Sequence, residues 1–219
     1  MTAMELSNQK KIVTLLKAAK TEFEEKKSVF IGFAAPVSGE DEAMAYLKAI
    51  RKEYPDATHH VWAYLMNDGA LARYSDDGEP QGTAGVPVLE AIKKKAVTNA
   101  VVIVTRYFGG TLLGAGGLVR CYTRSAHDAL EAAGIAVYEP FQEMTVSCTY
   151  SDYQKVVKEL PGFYAIVDET RFEESVIIRI AIPGDLTERF ELRMSELTNA
   201  RIKIEKNGFR MERKPENSV

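Results

Sequence analysis

The chain has 219 residues, 46% of them hydrophobic, with 28 Lys and Arg against 31 Asp and Glu for a formal net charge of −3. That length suits one large domain or two of ordinary size, and the composition reads as soluble and globular. No apolar run approaches the ~20 residues that span a bilayer, the N-terminus lacks an apolar signal core, and the net charge argues against indiscriminate nucleic-acid binding. The protein is therefore expected in the cytoplasm, and Cys121 and Cys148, which lack metal-site spacing, are expected as reduced, packed thiols.

In chain order, residues 8 to 20 carry the run IVTLLKAA, which reads as helix or strand. Residues 21 to 37 read as two short strands around Lys26 and Lys27. Ser38 is an expected N-cap, with Asp41 and Glu42 in the first turn and Ala43, Leu47 and Ile50 at helical spacing up to Pro55. THHVWAYLM at 58 to 66 reads as a strand, NDGA as a hairpin turn, and 70 to 75 as the returning strand. Residues 82 to 95 predict a helix whose closing lysines 93 to 95 suit its C-terminus. The β-branched run VVIVT within 99 to 107 predicts a buried strand. A long helix over 114 to 133 is stopped by Gly134.

A second unit is expected from residue 139, giving domains of 1–138 and 139–219. Its predicted order is strand (143–150), helix (152–160), strand (163–170), strand (175–182), helix (185–198), strand (200–205). This is the βαββαβ ferredoxin-like pattern, with Asp152 and Asp185 expected to open the helices. The predicted class is thus α+β. In RIKIE at 201 to 205, Arg201, Lys203 and Glu205 are expected on one face of a strand and Ile202 and Ile204 on the other. Residues 201 to 214 hold six basic and two acidic residues. Arg201, Lys203 and Lys206 are the nucleic-acid candidates there. Aromatic stacking residues are scarce, with Phe172 and Tyr164 the nearest, which favours backbone or protein contact over base reading.

The chemistry-bearing segments are RYSDDGEPQGTAGVP (73–87) and VVIVTRYFGGTLLGAGGLVR (101–120). The second has five glycines between 109 and 117 before a helix start, with Arg106 and Arg120 nearby, an arrangement that favours an anion. Neither nucleotide motif fits. Ala115 and Gly116 stand where a P-loop needs Lys and Ser or Thr, and Val119 stands where GxGxxG needs its third glycine. Adjacent strand residues His59 and His60 must point to opposite faces, and no partner spacing supports zinc. Asp76, Asp77 and Glu79 surround Gly78. Asp76 or Asp77 is expected to bind Arg106, Arg73 or backbone N–H groups, and no metal or other cofactor is expected. No nucleophile elbow or Cys–His pair is evident.

Together, YSDDGEPQGTAGVP and VIVTRYFGGTLLGAGGLVRCY resemble the signature of the Impact/YigZ family. Residues from about 20 to 135 are similar to the Impact N-terminal domain, and 140 to 205 to the YigZ-type C-terminal domain. The resemblance implies a first domain like the second domain of the small-subunit ribosomal protein five. It implies a second domain like domain V of elongation factor G. Eukaryotic Impact proteins restrain an amino-acid-starvation response by competing for the activator of a translation-initiation kinase; the bacterial-type members bring no activity that carries over. The expected function is translation-associated binding to RNA, the ribosome or a ribosome-bound factor. The alternative is an enzyme acting on a small phosphorylated or carboxylated metabolite. The binding candidates are His59, His60, Asp76, Asp77, Glu79, Thr83, Arg106, Tyr107 and Arg120.

Overall fold

A computed structural model describes residues 10–214. Contacts divide the chain into one unit of Ile12–Val137 and another holding Lys10, Lys11 and the residues from Tyr138 on.

In the first unit, strands β1 (Ile12–Leu15), β2 (Ala19–Glu25) and β3 (Ser28–Pro36) precede helix α1 (Glu40–Glu53). Strands β4 (His59–Met66) and β5 (Leu71–Ser75), helix α2 (Gly85–Lys94), strand β6 (Ala100–Tyr107) and helix α3 (Ala115–Ala133) follow. The sheet runs β2-β3-β6-β4-β5, and every neighbouring pair is antiparallel. Side-chain alternation sends Phe30, Ala34, Val61, Ala63, Val102 and Val104 to one face, where they pack with residues of α2 and α3. Ile31, Phe33, Tyr64 and Ile103 face the other way and pack with Ala43, Leu47 and Ile50 of α1. A sheet covered on both faces explains the unbroken apolar run of β6.

The ambiguous run before residue 20 is a strand. β1 is hydrogen-bonded to β7, which follows α3, and Leu16 N–H donates to the Gly134 carbonyl. Residues 8 and 9 lie outside the described part. Ser38 does not cap α1. Gly39 occupies the cap position, and Ser38 instead donates its N–H and hydroxyl to Glu42, both at 2.7 Å. These two hydrogen bonds hold the Glu42 carboxyl below its usual pKa.

From β7 onward the order is β7 (Ile135–Cys148), α4 (Tyr150–Glu159), β8 (Ile166–Phe172), β9 (Val176–Pro183), α5 (Thr187–Thr198) and β10 (Lys203–Arg213). The strands lie β10-β7-β9-β8. Met144, Val146, Ile178, Ile180, Phe190 and Met194 form the core, with Ile202 and Ile204 packed against it. Two strands exceed their expected length. β7 starts eight residues early. Its Tyr138, Glu139 and Pro140 pair with Arg213, Glu212 and Met211 of β10, while the β9 ladder begins only at Phe141. β10 runs on to Arg213, its pairing with β7 carried past a bulge between Lys206 and Gly208. β8 begins later than expected, because Leu160–Phe163 continue as a 3-10 turn closed by left-handed Tyr164. Asp152 and Asp185 are not the caps. Thr149 caps α4 by accepting from Asp152 N–H, and Asp185 lies in the turn before α5.

Close packing of α3 on β3 depends on Gly32. A Cβ there would sit 2.6 Å from the Ser125 carbonyl oxygen. Gly32→Ala is expected to lower stability in urea unfolding by about 1–3 kcal/mol. Gly116→Ala, whose Cβ would meet nothing closer than 3.9 Å, should leave stability unchanged or raise it.

Candidate functional site

Register decides which signature side chains meet. Arg106 pairs across the sheet with His59 on one side and Phe30 on the other, so these three share the face covered by α2 and α3. His60 pairs with Thr105 and points to the α1 face, its Nδ1 3.0 Å from the threonine hydroxyl. Burial holds the His60 pKa below the ordinary imidazole value, so the ring is neutral at pH 7. Tyr107 also faces the α1 side, where burial raises its hydroxyl pKa. The two histidines therefore serve different surroundings.

On the α2/α3 face, Arg106 is only 4% exposed and Glu79 8%. Arg106 Nη1 donates to Glu79 Oε1 at 2.6 Å, and the Tyr122 hydroxyl donates to the same oxygen at 2.7 Å. Arg106 Nη2 reaches the Ser28 hydroxyl at 3.3 Å, while its buried Nε has no partner. The guanidinium lies 5.3 Å from the Phe30 ring and 5.5 Å from the Phe108 ring. Burial and the Glu79 carboxylate push the Tyr122 hydroxyl far above the phenol range, so it stays a donor. A buried charge is tolerated only when paired and hydrogen-bonded, and this cluster supplies both.

The other two acidic residues serve the backbone. Asp76 accepts from the N–H groups of Gly82 (2.9 Å), Ala84 (3.1 Å) and Gly85 (2.8 Å), satisfying donors at the start of α2. Asp77 accepts from His60 N–H at 2.6 Å and from Arg51 at 2.8 Å. Its backbone is left-handed, at φ 44°, and its carbonyl lies 2.8 Å from His59 Nδ1. Arg106 therefore pairs with Glu79, not with Asp76 or Asp77, and Arg73 lies 3.7 Å from Glu40. Thr83 donates its hydroxyl to the Pro80 carbonyl and is buried. Among the described residues, no three His, Cys, Asp or Glu side chains converge as a metal site.

A cleft of about 370 Å³ opens over this network. His59, Glu79 and Arg106 line it together with Phe108, Leu112, Leu118 and Gly114, the uncapped start of α3. His59 contacts the Asp77 carbonyl through Nδ1, which must carry the proton to donate there. Its Nε2 lies 3.8 Å from Glu79 Oε1. Arg120 is absent from this cleft and lies instead with Arg124 in the grooves beside α3. Reading charges alone missed Ser28, Phe30, Phe108, Leu112 and Tyr122. Leu112, 83% exposed within a glycine-rich loop, was the one visible signal.

In the second unit the three basic candidates are partnered. Arg201 precedes β10 and folds onto Asp152 of α4, with Nη2 2.9 Å from Oδ2, so it does not share a strand face with Lys203. The Arg201 hydrogen bond holds the Asp152 carboxyl below its usual pKa. Lys206 reaches Glu191 of α5 at 2.9 Å, and Lys203 pairs with Glu205. Phe172 is exposed and stacks near Tyr150 and Tyr153. Among the described residues, no helix is long and apolar enough to cross a membrane.

Tyr122→Phe removes one of the donors to a buried carboxylate and should cost about 1–3 kcal/mol in urea unfolding. The pKa of His60 is depressed by folding, so the unfolded chain takes up the proton first as pH falls below 6.5. Melting temperature should therefore drop from pH 7 toward pH 5, with a shallower slope in His60→Asn. An unchanged slope would show that His60 does not titrate on unfolding.

Residues 26–130 match the Impact N-terminal domain, and residues 146–201 match DUF1949, a domain of unknown function. The "IMPACT family member YvyE" of Bacillus subtilis (strain 168) is 36% identical over 192 residues, 87% of this chain and 88% of that protein. The "IMPACT family member YigZ" of Escherichia coli (strain K12) is 32% identical over 182 residues, 82% of this chain and 89% of that protein. A solved structure described as the crystal structure of an hypothetical protein superposes with a TM-score of 0.59 at 29% identity, covering 90% of this chain and 97% of that one. With matching models on both units and relatives similar over most of their lengths, the chain belongs to the IMPACT family.

Proposed function

We propose that the chain is a cytoplasmic, translation-associated binding protein that contacts RNA, the ribosome or a ribosome-bound factor. The observation that carries this reading is where the signature charges go. Asp76, Asp77, Glu79 and Arg106 are consumed by backbone N–H groups, by Arg51 and by one another. They build a surface and leave little free acid or base for catalysis. On that surface Arg120 and Lys94 line one groove, and neither makes an ion pair among the described residues. The translational context comes from the family resemblance. The two resembled domain types, one of ribosomal protein five and one of elongation factor G, agree with a first unit built on an antiparallel sheet and a βαββαβ second unit.

Co-sedimentation with unwashed ribosomes tests the reading. The chain should pellet at low salt and be released as salt rises, because exposed charge pairs are screened. Arg120→Glu with Lys94→Glu should weaken the association. Arg106→Ala is a poor probe, since it breaks a buried pair and unfolding would mimic lost binding. No co-sedimentation at low salt sinks the proposal.

One observation favours a second reading, an enzyme acting on a small phosphorylated or carboxylated metabolite. His59 lines a cleft that also holds the N-terminus of α3, so an ionisable ring and an anion-binding helix end face the same space. A thermal-shift screen with nucleotides and phosphorylated metabolites separates the two. A stabilising compound whose effect is lost in His59→Ala would favour the enzyme.

A further inference from the structure

We propose that the groove between α2 and α3 is the docking site for an acidic, amphipathic helix of a partner protein. The groove has a volume of about 590 Å³. Half-buried Ala91 of α2 and Val119 of α3, which is 38% exposed, supply its apolar surface, with Leu130 buried beneath them. The rim is basic. Lys95 is paired with Glu131, and Arg124 lies 3.5 Å from Asp128. Among the described residues, Lys94 and Arg120 have no such partner. One of these uncompensated charges stands on each wall.

This combination selects the occupant. A helix laid into the groove of two others presents an apolar ridge to the floor and its flanking positions to the rims. Carboxylates at those flanks would meet Lys94 on one side and Arg120 on the other. A nucleic-acid strand fits less well. A phosphodiester backbone gains nothing from Ala91 and Val119, and the aromatic ring in the lining, His127, sits between the Asp128 and Glu131 carboxylates at 3.4 and 3.7 Å, which repel a phosphate. The inference deepens the binding reading by naming the chemistry of the partner, and it does not require that partner to be ribosomal.

The test places a photo-crosslinking residue in the groove of the full chain, as Thr123→p-benzoylphenylalanine, and identifies the captured segment by mass spectrometry. The captured segment should carry acidic and apolar residues at helical spacing. A synthetic peptide of that segment should bind the unmodified chain and lose at least about tenfold in affinity with Arg120→Glu and, separately, with Val119→Asp. Val119 is partly exposed, so that variant should fold, which its melting curve checks. Capture of RNA, of a second copy of this chain, or of a segment without that pattern overturns the proposal. So does no capture, or an affinity indifferent to Val119→Asp. Capture of an acidic helix from a protein absent from ribosome fractions would support the groove while counting against the translational reading. Capture of ribosomal RNA would do the opposite.

Discussion

A guanidinium cannot be buried without a counter-charge, and in this protein Arg106 is buried at the end of the central strand β6. Glu79 must therefore come to it from the turn after β5, and Tyr122 must come from α3 to share the same carboxylate oxygen. The two signature segments, far apart in sequence, converge because both close on one ion pair. Ser28 extends the cluster by accepting from Arg106 and from Gly109 N–H. That contact needs glycine, because a Cβ at 109 would lie 2.0 Å from the Lys27 carbonyl carbon. The glycine segment is thus shaped by close approach as much as by any ligand.

The proposed function rests on this arrangement by subtraction and by exposure. Charges that look like a catalytic set in a line of sequence are spent on holding turns, starting α2 and neutralising one another. What reaches the surface is different in kind. It comprises Phe108 and Leu112 at the mouth of the cleft, and Arg120 and Lys94 along the groove. A surface of apolar patches flanked by unpaired cations is suited to contact with a partner.

Much of the fold was legible because local rules suffice for it. The β-branched run VVIVT marked β6, the Gly134 stop marked the end of α3, and the opposed faces of His59 and His60 follow from strand geometry alone. The partner of Arg106 was not legible. Three carboxylates stand within four residues, and which one reaches the arginine depends on the left-handed backbone at Asp77 and Gly78. Arg201 was misplaced because its fate depends on Asp152, 49 residues away. The length of β7 was hidden by Pro140, which reads as a break unless the ladder beside it is known. Tyr122 gave no signal, since a tyrosine on the buried stripe of a helix looks like ordinary core.

The Arg106–Glu79 pair can be isolated by a double-mutant cycle in urea unfolding, using Arg106→Ala, Glu79→Ala and both together. If the pair holds the turn and α3 to the sheet, each single change leaves a buried charge alone and costs about 3–5 kcal/mol. The double change should then cost well below the sum. Costs that add to within about 0.5 kcal/mol would mean the two charges do not depend on each other, and the signature would need another explanation.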